Sequence, residues 1–349
     1  MKKNFFIGGC TFLLISFFII SCNNESNEII ETNEQNAMFE AHKEILSSMG
    51  YDVSNIEEFD DYYIIEGDIK FNKKDLPSSG ISLRHNVYKS TVKGDRVYTI
   101  GIQKVFNSAI LDIEWIEATK QAINEWNNIK GCKLRFQYAG ENNKADILVA
   151  ADRLIGTGRA AYTDMSTDPN KPGNFIHINP QYNGYSTAQK KFVVAHEIGH
   201  ALGFGHTDKL ETDMSYQKYT AQNDPNSVFR DKAAGTVWSG FSYYDLQAIL
   251  LLWPEAEETI TIHSRDNSPL GYKYNIQIDN SIPGLTYKWE VTGGSITWEQ
   301  GIYIKVRPSN YYAPVNIKLY LVDKINNKHD EINSKSFVPS STNVPVQYY

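Results

Sequence analysis

Residues 196–206 read His-Glu-Ile-Gly-His-Ala-Leu-Gly-Phe-Gly-His, which puts three of the chain's eight histidines in one short segment. Side chains four apart on an α-helix share a face, with β-carbons about 5–6 Å apart, so His196 and His200 can offer their imidazoles to one metal ion. Glu197 lies beside that face, within reach of a water held there. A third donor cannot come from continuing the helix, because the chain must leave the axis and turn back beneath the ion. Gly203 is placed for that turn: glycine accepts positive φ at little steric cost, and the turn lets His206 enter the coordination sphere. Three neutral imidazoles suit zinc and leave a fourth tetrahedral position for water. Zinc lowers the pKa of such a water to about 7, and Glu197 is the base that would take its proton during attack on a peptide carbonyl.

These residues need a helix to carry them and a sheet to back it. Ser186 with Gln189 three residues on predicts a capping box that opens the helix. Phe192, Ala195, Gly199 and Leu202 share its other face, which predicts burial against a sheet. Upstream, Val97–Ile102 alternates like a strand, and residues 110–129 place Trp115, Thr119, Ala122 and Trp126 on one helical stripe. Leu134–Phe136, Asp146–Ala150 and Phe175–Ile178 read as further strands. Gly156–Thr163 is the candidate exposed edge, to which an extended peptide would add as one more strand. His177, alone in its strand, reads as structural. A third helix begins at Ser242 and runs through Leu246 and Ile249 to Trp253, where Pro254 stops it. Beyond it, short alternating runs at 259–262, 275–278, 287–291, 302–306 and 315–322, with Gly-Gly and Pro-Gly turns between them, predict an all-β sandwich.

The segment His196–His206 matches the metzincin zinc signature HExxHxxGxxH, and its HEIGH core resembles the bacterial "dual-action HEIGH" metallopeptidases. The resemblance covers roughly residues 96–254. It implies an α+β metzincin-like catalytic domain, with a twisted, mostly parallel sheet packed on long helices, here followed by the sandwich. It also implies a zinc-dependent endopeptidase acting on extracellular proteins or peptides. Metzincins carry a methionine turn beneath the metal. Asp213-Met214-Ser215-Tyr216 resembles that turn, with Tyr216 then assisting at the metal; Asp224–Phe229 resembles the same segment of HEIGH peptidases, with Phe229 in place of methionine. Both assignments stay open. Ile65-Glu66-Gly67-Asp68 resembles the astacin pro-segment motif, whose aspartate covers the zinc, so Asp68 is a candidate latency switch; a plain hairpin turn at Gly67-Asp68 is the competing reading. Tyr287–Gly294 resembles a strand of the immunoglobulin-like modules of secreted bacterial proteins.

Lys2 and Lys3 precede an apolar run from Phe5 to Ile20, the layout of an export signal. The run closes on Ile19-Ile20-Ser21-Cys22, which resembles a bacterial lipoprotein signal and makes Cys22 the expected lipidation site and membrane anchor, at the outer membrane or cell surface. The expected organisation is a signal over 1–22, a tether and possible pro-region over 23–95, a peptidase domain over 96–255 and an immunoglobulin-like sandwich over 257–349. Asn23–Asn36 is the tether, being rich in Asn and Glu and poor in apolar residues. With Cys10 leaving in the signal and Cys22 lipidated, Cys132 has no partner for a disulfide, and its setting inside the catalytic region makes it a poor latency cysteine. A net charge of -7 with no concentrated Lys/Arg face argues against a nucleic-acid partner. Two rival functions fit the same residues: a surface binding protein with a structural zinc site, and a zinc hydrolase of a non-peptide amide. Glu197 speaks against the first, since a structural site needs no base beside an open position.

Overall fold

Apolar alternation and helical periodicity become strands and helices in a computed structural model that describes residues 25–49, 51–76, 92, 94–153, 158–166, 168, 170–208, 224–231, 235–266, 273–310, 312–322 and 329–339. The signal, Cys22, Met214 and Tyr216 lie outside the described residues. The N-terminal segment forms helix α1 (Glu25–Ser48) and strands β1 (Glu57–Glu58), β2 (Tyr62–Ile65) and β3 (Ile69–Asn72). Leu46, Tyr63, Ile65, Ile69 and Phe71 pack together with Met165 in a small apolar core. Helix α1 runs through most of the stretch expected as a tether. Its C-terminal half packs on this core through Ile45 and Leu46, and the helix continues back from there through Glu, Gln and Ala, which favour it.

The next region forms β4 (Val97–Gln103), the hairpin of β5 (Val105–Phe106) and β6 (Ala109–Ile110), α2 (Ile113–Asn127), β7 (Arg135–Tyr138), β8 (Ile147–Ala151), β9 (Ala161–Asp164), β10 (Phe175–Ile178), α3 (Thr187–Ala201) and α4 (Tyr243–Leu252). Asp112 caps α2 by accepting from the Glu114 N–H. The predicted stripe of Trp115, Thr119, Ala122 and Trp126 is buried against α3 and the sheet. Trp126 Nε1 donates to the Ala195 carbonyl at 3.2 Å, tying the two helices together.

One eight-stranded sheet runs β1-β2-β3-β9-β10-β8-β4-β7. The pairs β10·β8, β8·β4 and β4·β7 are parallel, and β9 lies antiparallel beside β10. The edge strand expected over 156–163 is shorter, Ala161–Asp164, and its outer side is already covered: β3 pairs with it in parallel, Ile69 opposite Thr163 and Lys70 opposite Asp164. The N-terminal segment is therefore part of the same sheet, because a sheet edge presents unpaired N–H and C=O groups that a neighbouring strand can satisfy.

After Pro254 the chain forms β11 (Thr259–Asp266), β12 (Lys273–Asp279), β13 (Tyr287–Thr292), β14 (Gly294–Gln300), β15 (Tyr303–Pro308), β16 (Val315–Val322) and β17 (His329–Phe337). They make two antiparallel sheets, β11-β12-β15-β14 and β13-β16-β17. Ile276 and Val306 of the first share one core with Trp289, Leu319 and Phe337 of the second. Strands β14 and β17 gave no alternation signal, since both carry register shifts and mostly exposed or polar residues.

Candidate metal centre

Helix α3 opens on the capping box predicted for it: Ser186 Oγ accepts from the Gln189 N–H while Gln189 Oε1 accepts from the Ser186 N–H. Its C-terminus is a Schellman turn, with Gly203 at φ 102 donating to the His200 carbonyl and Phe204 N–H reaching the Gly199 carbonyl. That turn sends His206 back under the last helical turn, as the glycine spacing predicts. The ring nitrogens of His196 and His200 then lie 2.8 Å apart, and those of His196 and His206 3.3 Å apart, through their Nε2 atoms.

The outer nitrogens fix the chemistry of the inner ones. His196 Nδ1 meets the Val228 carbonyl at 2.6 Å and His200 Nδ1 meets the Phe204 carbonyl at 2.6 Å. A carbonyl only accepts, so both Nδ1 atoms carry the proton and both Nε2 lone pairs point inward at each other. Two facing lone pairs repel unless a cation lies between them, and neutral imidazoles backed by carbonyls are what a zinc ion takes as ligands. Burial, followed by the neighbouring His196, pushes the His200 pKa down to about 4, so this imidazole is neutral at neutral pH. The donor set fits zinc.

A fourth donor comes from the N-terminal segment. Asp68 lies between β2 and β3, with its carboxylate oxygens 3.3–3.4 Å from the Nε2 atoms of His196, His200 and His206. Together these four residues can place one ligand atom each within 4.8 Å of one another. Burial alone would raise the Asp68 carboxyl, yet the imidazoles around it, His206 first, hold it well below the usual range. Its neighbour Glu66, at φ 52, accepts from the His206 N–H at 3.0 Å and lies 3.3 Å from His206 Nδ1. Glu66 carried no signal in sequence beyond its place in the Ile-Glu-Gly-Asp motif.

Glu197 is buried next to His196 on the helix, and Thr163 Oγ1 donates to its Oε2 at 2.6 Å. Burial first, then the charge of Asp68, raises the Glu197 carboxyl well above its ordinary value, against the Thr163 hydrogen bond. Thr163 ends the segment expected as the edge strand, but nothing in sequence aimed it at Glu197. A cavity of about 120 Å³ lies beside Glu197, lined among others by Gly67, Arg159, Val193 and Asp231.

Beneath the helix, the described turn is the one that carries Phe229. Its ring stacks on Phe204 at 4.3 Å, its carbonyl accepts from the Thr207 N–H, and Val228 just before it holds His196. Asp245 of α4 fixes this turn, accepting from Ser227 Oγ at 2.6 Å and from the Val228 N–H at 2.9 Å. His177 stays away from the metal cluster, held between Asp152 and Asp164.

Residues 85–228 match the family model described as dual-action HEIGH metallo-peptidase. Over 186 residues, 52% of this chain, the sequence is 24% identical to a protein of Caenorhabditis elegans named matrix metalloproteinase-B. The chain spans about a third (34%) of that curated relative's length. Among solved structures it matches one titled "Structure of myroilysin" at 20% identity and a TM-score of 0.33, over 48% of this chain and 98% of that one. The resemblance of the HEIGH core to the dual-action HEIGH metallo-peptidases thus holds over residues 85–228, and the cluster of Asp68, His196, His200 and His206 fits zinc as the metal.

Proposed function

We propose that this chain is a zinc endopeptidase held latent by its own N-terminal segment, with His196, His200 and His206 as the zinc ligands, Glu197 as the general base and Asp68 as the latency switch. The observation that carries the reading is the path of residues 62–72. They enter as β2, turn at Glu66–Asp68 over the three imidazoles and leave as β3 along β9. A cleft that accepts the middle of a chain, continuing on both sides of the metal, suits an enzyme that cuts internal bonds. The backbone of β9 supplies the binding: Thr163 N–H donates to the Asp68 carbonyl at 2.9 Å and Met165 N–H to the Lys70 carbonyl at 2.8 Å. A substrate strand would use the same donors once the N-terminal segment has left.

Zinc, when bound, acidifies water and polarises the scissile carbonyl. Glu197 takes the proton during attack and passes it to the leaving amine. The Thr163 hydroxyl holds the Glu197 carboxyl in place. Asp68 occupies the place that substrate and water need, so it blocks turnover while it stays.

Casein or gelatin digestion by the wild type, by Glu197→Ala, by Asp68→Ala and after chelation tests these roles together. Loss of activity in Glu197→Ala and on chelation is expected, falling by a factor on the order of 10³ or more as for removal of a reacting group. Asp68→Ala should raise the basal activity of the full chain. Equal signals in wild type and Glu197→Ala would refute the peptidase, and unchanged basal activity in Asp68→Ala would remove the latency role.

The same reading makes the protein an exported bacterial lipoprotein, anchored through Cys22 at the outer membrane or cell surface and acting on extracellular proteins or peptides. The two sheets after Pro254 form an immunoglobulin-like sandwich that sets the peptidase away from the membrane or binds a surface partner. Cys22→Ser should move the protein from the membrane fraction to the soluble one on cell fractionation; an unchanged distribution would discard the anchor.

A further inference from the structure

We propose that Asp164, at the end of β9, is the charged wall of a substrate subsite that takes a lysine or arginine side chain two residues from the one lying over the metal. Lys70 of the N-terminal segment occupies that subsite in the latent chain. The inference rests on the peptidase reading above and adds a substrate class to it.

The register is the first argument. Asp68 lies over the three imidazoles, and Lys70, two residues on, stands opposite Asp164 in the parallel pairing of β3 with β9. Hydrogen bonds from the Thr163 and Met165 N–H groups to the carbonyls of residues 68 and 70 set where that side chain falls. Any strand laid on the same donors presents alternate side chains to the same face, so the position that meets Asp164 is defined by the edge and not by Lys70 itself.

The second argument is that the wall is built from the catalytic region and stays when the N-terminal segment leaves. His177 Nε2 lies 3.1 Å from Asp164 Oδ1, and its Nδ1 lies 3.0 Å from Asp152 Oδ2. Tyr162 donates its hydroxyl to the same Asp152 oxygen and stacks on the His177 ring at 4.3 Å. Asp164 is thereby fixed in place, with only 13% of its side chain exposed.

The third argument is what occupies the wall. Lys70, its side chain only 12% exposed, places Nζ 3.0 Å from Asp164 Oδ1 and 5.7 Å from the centre of the Tyr162 ring. Tyr62, which covers Lys70 from the other side at 4.8 Å, also belongs to the N-terminal segment. Loss of that segment takes away both the cation and its aromatic cover. The carboxylate beside an aromatic face then lacks its ammonium partner and favours a cation from the substrate over a neutral or acidic side chain. A guanidinium or ammonium on a long aliphatic stem can reach as Lys70 does.

The test is a cleavage profile on a mixed peptide library, read position by position, for the full chain folded first and then cut at a protease site engineered within residues 77–91. Wild type should enrich Lys and Arg over Met and Gln at one position two residues from those of the scissile bond, on the order of tenfold for a partly buried ion pair. Asp164→Asn should bring that ratio below about twofold while the enrichment at other positions persists. Asp164→Ser, which leaves a hydroxyl for His177, serves if the amide disturbs the fold. No basic enrichment in wild type, or the same enrichment in both variants, overturns the subsite.

If no peptide is cut and Glu197→Ala is indistinguishable, the peptidase reading has failed, and the subsite is then judged by binding. Peptides of residues 61–76 with Lys70, Lys70→Arg or Lys70→Met compete for the cut chain against a labelled copy. A tenfold loss for Lys70→Met that disappears on Asp164→Asn upholds the subsite. Equal competition by the three peptides ends it.

Discussion

At the scale of single residues, the glycine inside the HEIGH core has a packing cause. A β-carbon at Gly199 would lie 2.2 Å from Phe229 Cε1 and 2.7 Å from its Cδ1, in a ring already stacked on Phe204 and edged by Trp126. An aromatic ring cannot yield as a flexible side-chain tip can, so Gly199→Ala overpacks the floor of the metal site. The expected cost is about 1–3 kcal/mol in urea unfolding, with part of it recovered in the double variant Gly199→Ala/Phe229→Leu. A neutral Gly199→Ala would mean that the ring does not fill this floor. Sequence alone assigned Gly199 to the buried face of the helix, and it placed His196, His200, His206 and Glu197 from spacing. It could not assign the partner, because Phe229 comes from a turn far along the chain and which turn comes under a helix is settled by tertiary packing. Thr163 and Glu66 were hidden for the same reason, since neither residue type nor spacing aims a hydroxyl at Glu197 or a carboxylate at His206.

At the scale of elements, strand β3 is fastened to β9 by a charge as well as by its backbone. Burial alone would raise the Asp164 carboxyl, but the hydrogen bond and charge of His177, followed by Lys70, hold it below its ordinary value. A carboxyl depressed in the folded state stabilises that state above its unfolded pKa, about 3.9, and the contribution is lost as pH falls through the lower folded value. The stability gap between wild type and Asp164→Asn, measured by urea unfolding, should therefore stay level from about pH 7 to 5 and shrink below about pH 4. A gap that widens towards acid would contradict the ion pair. The extended character of Tyr62–Ile69 and its turn at Gly67-Asp68 were legible from β-branched and aromatic residues broken by turn residues. Which edge the strand would join was not, because pairing depends on donors exposed by a strand about a hundred residues later.

At the scale of the whole molecule, the stop at Pro254 marks where one core ends and another begins. The apolar cluster around α2, α3 and the large sheet shares no buried residue with the cluster between the two C-terminal sheets. Among the described residues, Leu251 packs on the C-terminal core, Gln247 Nε2 donates to the Pro283 carbonyl at 2.8 Å, and Gly284 lies against the Tyr243 hydroxyl. The end of the peptidase region is tied to its own sheet, with Lys133 N–H donating to the Trp253 carbonyl and Glu255 N–H to the Gly131 carbonyl. A chain ending at Glu257 keeps all of these ties. After activation it should cut a short peptide within about twofold of the full protein's rate, with an apparent Tm lower by only a few °C. Among the described residues these crossing contacts fall on α4, and α4 has a second duty. Its Asp245 holds the Ser227–Val228 turn whose carbonyl orients His196. If the truncated chain instead loses zinc affinity together with activity, the C-terminal sheets are steadying α4, and through Asp245 and Val228 they help to set the first metal ligand.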